Sequence, residues 1–154
     1  GYTYEGVVVP QIQYLGSSAL ALRDDGFTLY SGRQIPKETQ TIKVEKEIVS
    51  TFYDEDTIGL VFKNDSKDKL YTMQVYSTSG KLKFSKDFNI PYSTIRMSDG
   101  YIVMYNSSQI CVLNKNGTEK YFGNIDGTVK DFFKFGWNKY LLVLDTGVNV
   151  IKLS

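Results

Sequence analysis

The chain has 154 residues, enough for one hydrophobic core but too few for two substantial ones. Its 18 basic and 17 acidic side chains leave a formal charge of +1, so nucleic acid is not an expected partner. There is no histidine, and Cys111 is the only cysteine. These counts exclude histidine-based catalysis and a multi-cysteine zinc site, and we expect no cofactor, no metal and no catalytic residue.

Aromatic residues make up 14% of the chain, with twelve Tyr and nine Phe. These residue types suit half-buried pleated surfaces, and no long segment has a helical period, so an all-β fold is predicted. A short apolar segment recurs at intervals of about 40 residues, the spacing typical of β-propeller blades. Its four copies lie at 18–22, 58–62, 101–105 and 140–144.

Strands and turns flank each copy in the same order. The first blade is predicted to contain strands at 7–15, 18–22, 27–30 and 39–44. The second is predicted to contain strands at 47–52, 58–62, 70–76 and 81–88. The third is predicted to contain strands at 93–97, 101–105, 109–113 and 119–123.

The fourth blade has only three predicted strands, at 129–135, 140–144 and 148–153. We therefore predict one propeller-like domain over 1–154, with blades at about 5–44, 45–90, 91–126 and 127–154. The incomplete last blade leaves a bare sheet edge. Such edges borrow a strand from elsewhere in the chain or from a partner, so a homo-oligomer formed through unpaired blade edges is one expected assembly.

Two acidic clusters, Asp24-Asp25 and Asp54-Glu55-Asp56, lie where hairpin turns are needed. We interpret them as turn residues, because neither has the ligand spacing of a calcium loop. The alternative function is a propeller-type carbohydrate-active enzyme that uses carboxylates alone. It requires acidic side chains that converge in one pocket with raised pKa values.

Aromatic residues at the ends of predicted first strands are the better candidates for a site. Tyr14, Tyr53, Tyr92 and Trp137 occupy such positions, where a propeller forms its central channel and one rim. They either fill space between blades or bind a protein or carbohydrate ligand. We predict a non-enzymatic binding module in which Tyr53, Tyr92, Arg96 and Trp137 contact the ligand or partner.

Several segments together resemble the C-terminal half of a family of uncharacterised bacterial proteins. They are 10–15, 21–26, 75–81, 141–145 and 151–153. Members of that family carry an N-terminal transmembrane helix followed by an extracytoplasmic propeller-like domain of unknown function. The resemblance implies a membrane-anchored parent protein that displays this region outside the cytoplasm, and it supplies no active site. Gly1 in place of an initiator Met indicates an excised segment, which we expect to be soluble and not inserted in the membrane.

Overall fold

A computed structural model of the protein describes residues 11–15, 18–23, 26–31, 37–43 and 47–153. Within these ranges the chain forms β-strands, turns and bends, and no helix. The described residues include fifteen strands, which make four antiparallel sheets, three with four strands and one with three. The predicted all-β class, with about four blades and an incomplete last blade, is confirmed.

In every sheet the strands are paired in chain order, so each sheet is a meander. The first sheet contains β1 (Gln11–Leu15), β2 (Ser18–Arg23), β3 (Gly26–Ser31) and β4 (Lys37–Lys43). The second contains β5 (Ile48–Tyr53), β6 (Thr57–Lys63), β7 (Tyr71–Ser77) and β8 (Leu82–Phe88). The third contains β9 (Thr94–Ser98), β10 (Tyr101–Tyr105), β11 (Gln109–Leu113) and β12 (Glu119–Asn124). The fourth contains β13 (Val129–Gly136), β14 (Lys139–Leu144) and β15 (Gly147–Lys152).

Burial along the strands follows their position in the sheet. All residues of β6 except its last are buried, as expected of an interior strand covered on both faces. The outer strand β8 is largely exposed until Phe88, with Lys83 exposed and Lys86 half-buried. Lysines on an outer strand hinder pairing with other molecules.

The chain divides into two compact units, Gly1–Phe88 and Asn89–Ser154. In the first unit, side chains of β2 and β3 pack against side chains of β6 and β7 to form one core. Phe27 and Tyr76 meet there edge to face, with ring centroids 5.2 Å apart. The buried members of this core are Leu20, Leu22, Phe27, Leu29, Ile58, Leu60 and Tyr76.

The second unit has its own core, formed by the third and fourth sheets. Phe132 on β13 and Tyr140 on β14 stack with ring centroids 5.4 Å apart. Their buried partners in the core are Val103, Tyr105, Ile110, Val112, Val129 and Leu142. Cys111 on β11, in the third sheet, is also buried, as the apolar residues next to it in the sequence predict.

The turn interpretation of Asp54-Glu55-Asp56 is supported by its hydrogen bonds. The Asp56 N–H donates to Asp54 Oδ1 at 2.9 Å, and the Asp54 N–H donates to the Thr57 carbonyl at 3.0 Å. Asp24-Asp25 and the predicted strand residues at 7–10 and 44 lie outside the described residues. The extent of the propeller-like domain stays a prediction. None of the described residues belongs to a helix long and apolar enough to span a membrane.

Candidate binding site

The four predicted site residues are divided between the two units. Tyr53 ends β5 in the first unit, where it is half-buried and packs against the core of that unit. Tyr92, Arg96 and Trp137 belong to the second unit. The side chain of Tyr14 lies outside what the structure describes.

Within the second unit, Tyr92 and Trp137 lie at opposite ends of two neighbouring strands. Arg96 contacts Asp131 and Phe132, and Ser98, two residues further along β9, contacts Lys134. As the residue number increases along β9, the number of the contacted residue on β13 also increases, so β9 and β13 run in the same direction. Tyr92 precedes β9 whereas Trp137 follows β13, so these two aromatic side chains cannot contact one small ligand together.

Arg96 links the third sheet to the fourth. Its Nη2 donates to Asp131 Oδ1 at 2.6 Å and to the Phe132 carbonyl at 2.8 Å. The guanidinium also lies 5.9 Å from the ring centroid of Tyr105 and 5.7 Å from that of Phe133. Arg96 therefore has an intramolecular role, and its predicted contact with a ligand stays a prediction.

The Asp131 carboxylate is the acceptor at the centre of this contact. Tyr105 Oη donates to Asp131 Oδ1 at 3.2 Å, and the Phe132 N–H donates to the same oxygen at 2.8 Å. Burial raises the pKa of the Asp131 carboxyl, but the hydrogen bonds and the charge of Arg96 outweigh it, so the net pKa is lowered. The contact therefore favours the ionised form of Asp131.

A second polar contact joins the same two strands nearer to Trp137. Lys134 is an ion-pair partner of Asp99, and its Nζ lies 5.0 Å from the ring centroid of Tyr101. Ser98 Oγ accepts from the Lys134 N–H at 2.9 Å and donates to the Lys134 carbonyl at 3.1 Å. These bonds hold the β9–β10 turn beside the end of β13.

Tyr140 is buried in the core of the second unit, within electrostatic range of Tyr101 and Asp99. Burial, together with the charges of Tyr101 and Asp99, raises the pKa of the Tyr140 hydroxyl to about 12.

The turn between β13 and β14 presents the most exposed large apolar side chain among the described residues. Trp137 is 85% exposed, and Phe135 in the adjoining bulge is 49% exposed. Asn138, the second turn residue, has φ 53°, a left-handed conformation that Asn tolerates well. We call residues 135–139 the Trp137 hairpin.

Lys139 is the last residue of this hairpin, and Lys152 is its cross-strand neighbour. Lys139 and Lys152 are exposed and directly opposite each other on β14 and β15. Like charges in such cross-strand pairs repel. In the described part of the chain, neither lysine forms an ion pair. The surface thus combines exposed aromatic rings with uncompensated positive charge.

The carboxylate chemistry of the alternative function finds no counterpart in the described residues. Asp131 is the one described carboxyl group with a resolved pKa shift, and the shift is downward. No group of three or more acidic, histidine or cysteine side chains in the described ranges is arranged to hold a metal ion. The predicted aromatic site at Trp137 is the arrangement with the clearest chemistry: apolar stacking and attraction of negative charge.

Neither Phe135 nor the Lys139–Lys152 pair was predicted as part of a site. The bulge that exposes Phe135 lies between Lys134 and Gly136 and arises from register, which composition does not determine. Lys139 and Lys152 are 13 positions apart in the sequence and become neighbours only through the pairing of β14 with β15. The Trp137-Asn138 turn was the available signal, since it follows an apolar strand and precedes another.

Solved structures that are similar to this chain include β-propellers. BamB from Moraxella catarrhalis is 13% identical, with a TM-score of 0.61, over 93% of this chain and 44% of that one. The WD40 domain of Neurospora crassa Pan2 is 16% identical, with a TM-score of 0.60, over 94% of this chain and 48% of that one. BBS1N, solved in complex with ARL6DN, is 6% identical, with a TM-score of 0.60, over 99% of this chain and 54% of that one. The chain thus spans about half the length of these propellers, and the likeness shows the fold alone.

At the sequence level, no curated protein matches the chain. A family of unknown function, DUF5711, matches residues 1–153. The chain therefore belongs to the DUF5711 family.

Proposed function

We propose that this member of the DUF5711 family is a non-enzymatic protein-binding module whose contact surface is the Trp137 hairpin. The observation that carries the proposal is the 85% exposure of Trp137, the only tryptophan in the chain, at the tip of a tight turn. Tryptophan is among the residues most enriched in binding hot spots. An indole ring in water gains free energy when a partner covers it.

The base of the hairpin is restrained by an ion pair and hydrogen bonds, and this restraint favours binding. Lys134, three residues before Trp137, is bonded to Asp99 through its side chain and to Ser98 through its backbone. A contact residue on a restrained element loses less conformational entropy when it binds. The hairpin is therefore suited to present Trp137 without a prior rearrangement.

The charge beside the hairpin indicates the chemistry of the partner. Lys139 and Lys152 repel each other, and a carboxylate placed between them relieves that repulsion. The partner surface that fits best has an apolar cleft for the indole ring of Trp137 and acidic residues at its rim. Carbohydrate, the other predicted ligand class, offers the aromatic contact but no negative charge unless it is acidic.

One of the similar structures offers an analogy for a binding role. BBS1N was solved in complex with a second protein, ARL6DN, which makes a protein partner a reasonable model for this chain. The inference is by analogy, since one fold hosts unrelated functions. The argument for this chain rests on Trp137.

A photo-crosslinking amino acid at position 137 tests the proposal in cells that express the natural protein. We expect a protein adduct at position 137, and no adduct when the crosslinker replaces Leu82, which is 47% exposed on β8. The adduct partner is then purified, and its affinity for the unmodified chain and for each variant is measured by isothermal titration calorimetry. Trp137→Ala should weaken binding by about 30-fold, the effect of a hot-spot residue.

Leu82→Ala is the matched control and should leave the affinity unchanged. Lys139→Glu should weaken binding and make it less sensitive to salt. Equal adduct formation at positions 137 and 82, or an unchanged affinity for Trp137→Ala, would contradict the proposed function.

We also propose that the longer protein is anchored in a bacterial membrane and displays this region on the extracytoplasmic face. The support is the sequence resemblance to membrane-anchored proteins with an extracytoplasmic propeller-like domain. Protease added to intact protoplasts of the source organism should degrade this region while a cytoplasmic marker survives. Protection of the region until the cells are lysed would contradict the location.

A further inference from the structure

The outer edge of β15 occupies a position that every other sheet covers. β15 is the third strand of its sheet, as β3, β7 and β11 are of theirs. Those three strands each pair with a fourth strand, β4, β8 or β12. Among the described residues, β15 pairs with β14 alone.

The register shows which backbone groups face this edge. The Leu153 N–H donates to the Asn138 carbonyl at 2.9 Å, and Lys139 is opposite Lys152. Bonded positions alternate along an antiparallel ladder, so Gly147, Asn149 and Ile151 bond to β14. The N–H and C=O groups of Val148, Val150 and Lys152 therefore point outward, as a template for another strand.

The side chains of β15 do not protect this edge. Val148 and Val150 are 60% and 59% exposed on the same face of the strand. The outer strands β8 and β12 carry charged residues within the strand, such as Lys83, Lys86 and Lys120. β15 has no charged residue before Lys152, its last position.

We propose that β15 pairs with β15 of a second copy of this chain, antiparallel and about a two-fold axis at Asn149. In this register Val148 lies opposite Val150 of the second copy, and their outward N–H and C=O groups bond each other. Each apolar side chain then has an apolar cross-strand neighbour. The inference goes beyond the proposed function and does not depend on the Trp137 hairpin.

The charges at the two ends of β15 favour a second copy of this chain as the source of the pairing strand. Asp145 precedes β15 and Lys152 ends it, so an apolar strand is flanked by opposite charges. Antiparallel pairing of the strand with itself brings Lys152 opposite Thr146, next to Asp145 of the other copy. Lys152, whose neighbour within the chain is Lys139, thereby has the Asp145 carboxylate of the second copy as a diagonal neighbour one residue away, and the opposite charges attract.

The interface is small, because each copy contributes one six-residue strand. Stable interfaces bury about 1,600 Å² in total, more than a single strand pair provides. The dimer is therefore expected to be reversible and concentration-dependent. Two-fold closure stops assembly at the dimer, whereas a head-to-tail contact would give longer oligomers.

Sedimentation velocity over a range of concentrations tests the association. The unmodified chain should shift from monomer to dimer as concentration rises, and Val148→Lys with Val150→Lys should stay monomeric at all concentrations. Leu82→Lys places the same charge on an exposed apolar position of β8 and should dimerise as the unmodified chain does. Circular dichroism confirms that each variant is folded.

Cysteine crosslinking tests the register. At the two-fold axis Asn149 faces Asn149 of the second copy in a non-hydrogen-bonded pair, with Cβ atoms about 4.5 Å apart, within reach of a disulfide. Asn149→Cys should form a disulfide-linked dimer on oxidation, since the native Cys111 is buried. Val148→Cys alone should crosslink at least tenfold more slowly, and a mixture of Val148→Cys and Val150→Cys chains should form mixed dimers.

Three results would overturn the proposal. The first is an unmodified chain that stays monomeric at every concentration. The second is a dimer that survives the two lysines on β15. The third is equal crosslinking of Val148→Cys and Asn149→Cys, which would show that the copies meet in another register or through another edge.

Discussion

Asp131 makes one contact between the third and fourth sheets, its ion pair with Arg96, dependent on pH. Its folded-state pKa lies below the ordinary value of 3.8, because Arg96, Tyr105 and the Phe132 N–H together outweigh the effect of burial. A carboxyl group with a lowered folded pKa stabilises the folded state above its unfolded pKa. That stabilisation is lost as the pH falls below about 4 and through the folded pKa.

We therefore expect Asp131→Asn to remove part of the acid dependence of stability. Both ionised side chains are more than a third exposed, so the expected cost at pH 7 is modest, about 1 kcal/mol. Urea unfolding at pH 7 and pH 3 measures it. The variant should lose less stability between the two pH values than the unmodified chain, and Asp126→Asn, at an exposed turn position in the same unit, should not. An unaltered acid dependence for Asp131→Asn would refute this role.

Tyr140 makes the stability of the folded state depend on pH in the alkaline range, because its pKa is raised and not lowered. Its folded-state pKa is raised from 10.0 to about 12, so the unfolded chain loses this proton first. The stabilisation is full below pH 10 and is lost as the pH rises from 10 toward 12. Tyr140→Phe keeps the ring that stacks on Phe132 but has no hydroxyl to ionise. The unmodified chain should lose about 1 kcal/mol more than Tyr140→Phe between pH 10 and 11 in urea unfolding. Equal losses would contradict the assignment.

The polar contacts between the sheets illustrate what the sequence could not predict at this scale. Arg96 was singled out, but Asp131 and Lys134 were not. Their partners, Arg96 and Asp99, are 35 residues away in each case. Such pairs exist only after two sheets have packed in a particular register, and no local pattern encodes that register. Trp137 differs, because a large aromatic residue in a predicted turn is a local signal.

Among the elements, β6 shows how tightly an interior strand is fitted to its neighbour. Gly59 lies opposite Phe52, and a Cβ atom added at Gly59 would lie 2.1 Å from Phe52 Cζ. Phe52 is only 3% exposed and cannot move aside without disturbing the core. The absence of a side chain at Gly59 is thus a condition for this packing.

Gly59→Ala should therefore destabilise the chain by about 1–3 kcal/mol through overpacking. The cost should shrink in a Phe52→Ala background, because the clashing ring is gone, and urea unfolding of the four chains in this double-mutant cycle measures it. Gly100→Ala serves as a contrast, since nothing lies within 4 Å of its added Cβ and its cost comes from a φ of +79°. A cost at Gly59 that is independent of Phe52 would contradict the packing explanation.

The strands themselves were largely predictable, because their signals are local. Runs of apolar residues such as 101–105 predicted strands that the structure contains, and Asp99-Gly100 forms the turn before that strand. Both central residues of that turn have positive φ, at 49° and 79°, as a tight hairpin between twisted strands requires. The bulges were not predictable, since a bulge changes the pairing without changing the apolar pattern.

For the whole molecule, the division into two units is the property that the repeat pattern did not reveal. The single propeller-like domain expected from four similar blades stays a prediction, and within the chain two compact units meet after Phe88 in sequence, each with two sheets. Each unit buries its own set of side chains. A blade has two faces to cover, so two packed sheets are the smallest assembly that gives each sheet one buried face.

This organisation predicts that residues 89–154 fold without the first unit. The third and fourth sheets share one core, and Arg96–Asp131 and Lys134–Asp99 join them within the unit. A domain of this size buries only about 60% of its unfolded surface, so low stability is expected. Nuclear magnetic resonance of the isolated fragment should show dispersed amide signals and one exposed tryptophan.

Residues 89–128, which contain the third sheet alone, should be unfolded, because that sheet has lost the side chains of β13 and β14 that cover Val103 and Tyr105. Phe132→Ala should unfold the longer fragment by removing the centre of the shared core, at a cost of about 3–5 kcal/mol. If the 89–154 fragment were unfolded, or if 89–128 folded equally well, the pair of sheets would not be the cooperative unit.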